Sequence, residues 1–228
     1  FIITNSLYFN FVSDIVDNEI IINIDTINFD FSVDNECLIG RLEKSIDTDP
    51  LCIINTSGST GTPKAVVLNH RSYIDYTQWA INRFNFDGSE ILGVLSPIIF
   101  DHFNFEICLM MTKGSALVLL DNNMATYPAK LLNSLIDHKV NFIFWVPTIM
   151  VNIANMNLLE HIHLPLIKMI WFAGEVFPTK QFNYWKRWIP NATYVNLYGP
   201  IETTVDCTYF VVNREIKDRS EERRVGKK

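Results

Sequence analysis

Paired cysteines are missing from this sequence. Its four, Cys37, Cys52, Cys108 and Cys207, stand far apart with no CxxC pair and no histidine at metal-ligand spacing, which excludes a disulfide framework and a zinc finger. Buried, reduced thiols are the expectation, as in the cytoplasm. Long apolar runs are missing too: Asn, Asp, Lys or Gly interrupts each one well before the roughly 18 residues of a membrane span, so no transmembrane helix is expected. The amino end, Phe1-Ile2-Ile3-Thr4-Asn5, has neither an initiator Met nor a basic stretch ahead of an apolar one. It reads as the interior of a longer protein and not as a secretion signal. Basic excess is also absent, with 19 basic against 25 acidic side chains, and leaving out the last twelve residues gives 13 against 22. Such an acidic body excludes the basic stripe of a duplex-binding surface.

What remains is a globular chain of 228 residues, 48% hydrophobic and 13% aromatic, with mean hydropathy +0.12. That length builds one domain or two small ones and buries about 70% of its unfolded surface without a staple. Strand-forming runs at 20–24, 51–55, 65–68, 91–95, 116–120, 142–146, 169–173 and 193–197 alternate with helical periodicity at 72–82, 103–111, 127–138, 148–155 and 179–188. Several strands are apolar on both faces, as buried parallel strands are. The alternation predicts an α/β fold with largely parallel sheets and flanking helices. Thr126 ahead of Tyr127-Pro128 is a candidate N-cap, and Pro178-Thr179 opens the last helix similarly. The aromatic set Phe182, Tyr184, Trp185 and Trp188 falls at helical spacing and reads as a packed face. From Lys217 the chain is charged and nearly free of apolar residues. This ending cannot join a core, and it resembles translated adapter sequence as much as native protein.

The most informative stretch is Asn55-Thr56-Ser57-Gly58-Ser59-Thr60-Gly61-Thr62-Pro63-Lys64, between two strands. A flexible connector would have this composition. Equally, two glycines free the backbone, five hydroxyls and several N–H groups can surround phosphate oxygens, and Lys64 adds a mobile positive charge. It is not a Walker A loop, because Ala65 and not Ser or Thr follows the lysine. Elsewhere, none of His70, His102, His138, His161 and His163 has a fitting partner for a base. There is no G-x-S-x-G elbow, and His161-x-His163 lacks a third ligand.

At the loop the chain resembles the adenylate-forming enzyme superfamily, whose signature TSGSTGxPKG recurs as Thr56 through Ala65 with only the closing Gly changed. Further resemblances follow in the family's order. Phe100-Asp101 is similar to the F-D-x-S element of amino-acid-activating members, with Phe103 in place of Ser. Phe172-Ala173-Gly174-Glu175-Val176-Phe177-Pro178 resembles the C-G-E-x-L-P stretch of D-alanine-carrier ligases and related adenylation domains. Asn196-Leu197-Tyr198-Gly199-Pro200-Ile201-Glu202-Thr203-Thr204 is close to N-x-Y-G-P-T-E-x-T.

The resemblance implies that residues 1–214 are part of the large amino-terminal domain of such an enzyme and that 215–228 are a tail. It implies ATP and Mg2+ as cofactors, an amino acid as substrate, and a carrier protein with a phosphopantetheine arm as partner, in the cytoplasm, with no nucleic acid and no membrane insertion. The implied reaction has two steps: carboxylate and ATP give an acyl-adenylate and pyrophosphate, then a thiol takes the acyl group. By the same likeness Thr56, Ser57, Gly58, Ser59, Thr60, Gly61, Thr62 and Lys64 handle the β- and γ-phosphates, and Glu202 ligates Mg2+. Gly174, Glu175, Asn196, Tyr198 and Gly199 border the nucleotide, with Tyr198 stacked on adenine. Asp101 pairs with the substrate's α-ammonium, and Phe105, Trp171, Ala173, Leu197, Val205 and Asp206 surround its side chain.

Local readings stand beside these. Glu202 reads equally as a solvated carboxylate, Tyr198-Gly199-Pro200 as a strand ending in a turn, and Asp101 as a helix N-cap. Trp171 and Phe105 either narrow the pocket toward Ala, Gly or Ser, or simply pack the core. Ile201 replaces a Thr that in the family donates to the α-phosphate, and losing such a donor costs on the order of 3 kcal/mol. The family's ribose-binding Asp, hinge and small carboxyl-terminal domain match nothing in these 228 residues, so little or no activity is expected of the chain alone. Two other classes remain open, a nucleotide- or acyl-adenylate-binding remnant and an acyl-CoA or aryl-CoA synthetase.

Overall fold

A computed structural model of the chain describes residues 2–27, 34–56, 63–213 and 216. It divides into two compact units, Phe1–Ile46 and Asp47–Lys228. In the first, β1 (Ile2–Thr4) pairs in parallel with β2 (Ile21–Asn23). Neither α1 (Phe9–Ser13) nor α2 (Asn35–Leu42) buries a side chain there, although Asp34 caps α2 by accepting from the Cys37 N–H at 3.0 Å.

The second unit opens with a hairpin, β3 (Pro50–Thr56) antiparallel to β4 (Lys64–Asn69). Asn69 ends β4 and also caps α3 (His70–Phe84), its Oδ1 accepting from Ser72 N at 2.9 Å, so strand passes to helix without a linker. Then come β5 (Ile91–Val94), α4 (Asp101–Lys113), β6 (Ala116–Leu119), α5 (Pro128–Asp137), β7 (Phe142–Trp145), α6 (Pro147–Asn155), β8 (Met169–Phe172), α7 (Thr179–Trp188), β9 (Thr193–Tyr198) and β10 (Thr208–Val212). Six of these strands form one sheet in the order β10-β9-β8-β7-β5-β6. All its pairings are parallel except β10 against β9. The expected α/β fold with a mostly parallel sheet is therefore present, and β10, an unanticipated strand, closes one edge.

Period-2 side-chain alternation gives the sheet two cores. Ile143 and Trp145 of β7 and Ile170 and Phe172 of β8 face α5, α6 and α7. Phe142, Phe144 and Trp171, from the intervening positions, face α3, α4 and the hairpin. All four β7 residues are buried, the signature of a strand covered on both faces. On α7, Phe182 and Trp185 are buried while Trp188 is 37% exposed, so the aromatic face is packed along most of its length.

Two local expectations are corrected. Thr126 does not cap α5: its hydroxyl donates to Asn123 O at 2.6 Å inside the preceding 3-10 turn, and Tyr127 takes the N-cap position. The thiols are not buried either, since Cys37 and Cys207 are exposed and Cys52 and Cys108 half-buried, all four free. Cys37 lies on α2, which has no core to enter, and Cys52 accepts from Asn104 Nδ2 at 3.3 Å between the hairpin and α4. Beyond residue 213 only Ile216 is described. It is buried in the core beside α7, its carbonyl accepting from Asn183 at 2.8 Å.

Candidate active site

Because β5, β7, β8 and β9 run parallel, the loops that follow them emerge at one edge of the sheet, where ligands of open α/β folds bind. That edge holds a cavity of about 400 Å3 whose wall includes Leu95, Phe100, Phe144, Val146 and Gly174. The wall is mostly apolar. Its polar side chains are Ser96, His102 and Trp145, and the Trp145 indole N–H is already donated to Gly93 O at 2.8 Å.

Asp101 is the first residue of α4, not its N-cap, and is only 3% exposed. Its Oδ1 accepts from the His102 backbone N–H at 3.0 Å and lies 3.1 Å from His102 Nδ1. Its Oδ2 accepts from the Val205 N–H at 3.1 Å. His102 thus has the carboxylate partner that sequence spacing denied it, because residues adjacent in the chain are brought side by side by the first turn of the helix. The Val205 bond secures an unusual turn. Thr204 and Val205 have φ of 61° and 60°, and a non-glycine residue held there costs about 1–3 kcal/mol. Next to this pair, Asp206 accepts from Tyr76 OH at 3.1 Å. Burial, reinforced by the charge of Asp101, pushes the Asp206 carboxyl up to about 7 against the opposing pull of His102 and Tyr76.

Phe105, Trp171, Ala173, Leu197 and Val205 do come together, as expected of a shared pocket, but in the buried core facing α3 and α4. Phe105 and Trp171 stack with centroids 5.6 Å apart and planes 5° from parallel. None of the five lines the cavity, so in this conformation they pack its outer wall.

Of the residues that the resemblance assigns to the nucleotide, those described lie on the same edge or on the hairpin. Ser57, Gly58, Ser59, Thr60, Gly61 and Thr62 fall outside the described residues. Thr56 and Lys64 face each other across the hairpin, Thr56 Oγ1 donating to Lys64 O at 3.4 Å, and Lys64 is exposed. The β4 strand lies against the 3-10 turn Ile201–Thr203, which carries exposed Glu202. Tyr198 ends β9 with a ring 55% exposed, and Asn196 is half-buried. Gly199 is sterically required: a Cβ there would stand 2.5 Å from Asp206 Cα and 2.8 Å from Cys207 N. Gly174 has φ of 85°, while the Glu175 carboxylate accepts from the Thr148 N–H at 2.9 Å and so caps α6. Ile201 offers no donor and packs partly against the core.

Sequence reasoning missed Ser96 and Glu106. Glu106 has no exposed surface, and neither carboxyl oxygen makes a hydrogen bond of standard geometry. Burial pushes it well above the usual carboxylate range, and the neighbouring Ser96 hydroxyl offsets that only in part. A lone Glu on an amphipathic helix carries no sequence signal of such burial.

A family model described as AMP-binding enzyme matches residues 15–228. The chain belongs to the AMP-binding enzyme family. Among curated members of that family, a D-alanine--D-alanyl carrier protein ligase of Bacillus cytotoxicus is 34% identical over 184 residues, 79% of this chain and 36% of the relative. One of Bacillus cereus is 33% identical over 178 residues, 76% and 34% of the two chains. The chain therefore spans about a third of the length of these relatives. In fold it is similar to the Vibrio cholerae adenylation domain AlmE, solved with glycyl-adenosine-5'-phosphate, at TM-score 0.68 and 23% identity over 79% of this chain and 34% of that one. VinN is similar at TM-score 0.73 and 18% identity over 91% and 51%.

Proposed function

We propose that this chain is part of an ATP-dependent ligase that activates an amino acid carboxylate as its adenylate and passes the acyl group to the phosphopantetheine thiol of a carrier protein. The observation that carries this reading is the cavity at the carboxyl edge of the parallel sheet: small, mostly apolar, with His102 in its wall and the Asp101 carboxylate against the His102 ring. A ring nitrogen in a mostly apolar wall, with a buried carboxylate directly behind it, suits a small zwitterion whose ammonium must be desolvated. The relatives whose names specify D-alanyl carrier protein support the substrate class and the carrier.

ATP supplies the adenylyl group, and Mg2+ neutralises the phosphate charge that must be stabilised as pyrophosphate departs. The residues present fit both. Tyr198 offers an exposed ring for the base at the mouth of the sheet. Mg2+ is commonly held by one or two carboxylates plus substrate phosphates, so the single exposed Glu202 suffices. No protein-only cluster of three metal ligands exists among the described residues. Lys64 and the Thr56–Thr62 segment hold the outer phosphates, on the hairpin that lies against the Glu202 turn. The chemistry requires no protein nucleophile, and Asp101 and His102 bind and orient the substrate.

A second reading, a nucleotide-binding protein without adenylation activity, is favoured by Ile201, which puts a methylene chain where the family places a donor. ATP–pyrophosphate exchange by the full-length protein with a panel of amino acids separates the two. Small amino acids such as alanine or glycine are expected to drive exchange. Tight ATP binding with no exchange for any substrate points to the second reading, and exchange with plain carboxylates alone points to an acyl-CoA-type ligase.

A further inference from the structure

We propose that Ser96, backed by the Glu106 carboxyl, is a specificity-determining group of the cavity and selects a small amino acid that carries a hydroxyl on its side chain. The proposal rests on the amino-acid reading of the cavity and narrows the substrate class within it. Of the polar side chains in the wall, the Trp145 N–H is spent on Gly93 O and the His102 ring lies against Asp101, which leaves the Ser96 hydroxyl to face a ligand. Glu106 follows His102 by four residues on α4, so the two share a helix face and Glu106 stands one turn along, behind the same wall. It is 0% exposed, and neither of its oxygens has a partner of standard geometry among the described residues. The other buried carboxyl groups near the cavity are bonded, Asp101 to the Val205 N–H and Asp206 to the Tyr76 hydroxyl. The neighbouring Ser96 hydroxyl is the polar group that offsets the burial of Glu106.

Buried polar groups are paired as a rule, and a carboxyl group enclosed without a bond calls for a partner. Ser96 is the only route from Glu106 to the cavity, because it touches both. The pair works in either direction. A protonated Glu106 donates to Ser96 Oγ, and the Ser96 hydrogen then turns toward the ligand. An ionised Glu106 accepts from Ser96, whose lone pairs then face the ligand. A substrate hydroxyl is both donor and acceptor and completes either chain, whereas a methyl group completes neither and seals the pair away from water without a bond. In a wall that is otherwise mostly apolar, with Leu95, Pro97 and Phe144 around it, such a pair discriminates for the hydroxyl and not merely for size. An acidic side chain is disfavoured, since it would meet a second carboxyl group in a poorly solvated place. The ligand class is therefore a small hydroxy amino acid such as serine, threonine or homoserine.

The test is ATP–pyrophosphate exchange by the full-length protein, comparing kcat/KM within pairs that differ by one hydroxyl: serine with alanine, and threonine and homoserine with 2-aminobutyrate. At least one hydroxylated member is expected to exceed its partner by about tenfold or more. Ser96→Ala should bring that ratio to within about twofold of unity while changing kcat/KM for the des-hydroxy partner less than about threefold. Glu106→Leu should do the same with Tm held or raised, since it fills the space and removes a buried group without a bond. Glu106→Gln keeps a donor and an acceptor and should retain most of the preference. Exchange with alanine and 2-aminobutyrate but no hydroxyl preference in the unsubstituted protein, as when water alone completes the pair, overturns the proposal and leaves the amino-acid reading intact. A preference that survives Ser96→Ala overturns it too, and this variant decides the matter if Glu106→Leu does not fold. Absence of exchange with every amino acid overturns both readings.

Discussion

At the scale of single residues, burial sets the behaviour of the acidic groups around the cavity. Asp206 has a carboxyl raised from 3.8 to about 7, chiefly by burial and further by the Asp101 charge. A group protonated more tightly in the folded than in the unfolded state stabilises fully below the unfolded value, and that stability is lost as pH rises through the folded one. Between pH 4 and 7 the fold should therefore lose stability, by on the order of 4 kcal/mol from this group. Asp206→Asn keeps an acceptor for Tyr76 without the titration, so its denaturation midpoint should vary less between pH 5 and pH 8 than that of the unsubstituted protein. An equal pH dependence in the two would refute the assignment to Asp206.

At the scale of elements, the decisive feature is the turn between β9 and β10. The Tyr198-Gly199-Pro200 segment reads as a strand ending in a turn, and it is one, but the reason for its glycine lies seven and eight residues on. The backbone of Asp206 and Cys207 returns so close to Gly199 that no Cβ fits. Gly199→Ala should therefore push β10 from β9, lowering stability by about 1–3 kcal/mol and displacing Tyr198 and the Glu202 turn together. Thermal unfolding and nucleotide affinity should fall in parallel, and an alanine variant with unchanged Tm would contradict the close approach. Strand β10 itself has a run of strand-forming types, Thr208 to Val212, while its place at the sheet edge and its antiparallel direction follow only from pairing with β9.

At the scale of the whole molecule, one edge of one sheet gathers the cavity, the exposed Tyr198 and Glu202, with the Lys64 hairpin against the Glu202 turn. If the phosphates and their metal bind there, Mg2+ is part of the assembled site. Chelation with EDTA should abolish pyrophosphate exchange. Glu202→Gln should raise the Mg2+ concentration needed for half-maximal exchange about tenfold or more while leaving the unliganded fold intact. A magnesium requirement unaltered by that substitution would remove Glu202 from the metal site.

The sequence by itself determined the alternation of strands and helices, because apolar period and turn residues are local, and it determined family membership, because the loop and turn signatures are contiguous. It also placed Phe105, Trp171, Ala173, Leu197 and Val205 in one neighbourhood. Only the tertiary structure decided that these five close into a core and do not line the cavity, that His102 leans on a carboxylate that also accepts from Val205 a hundred residues away, and that Glu106 is buried beside Ser96. Each of these depends on desolvation and on contacts between distant segments. Neither is encoded in the period or spacing of any single stretch of chain.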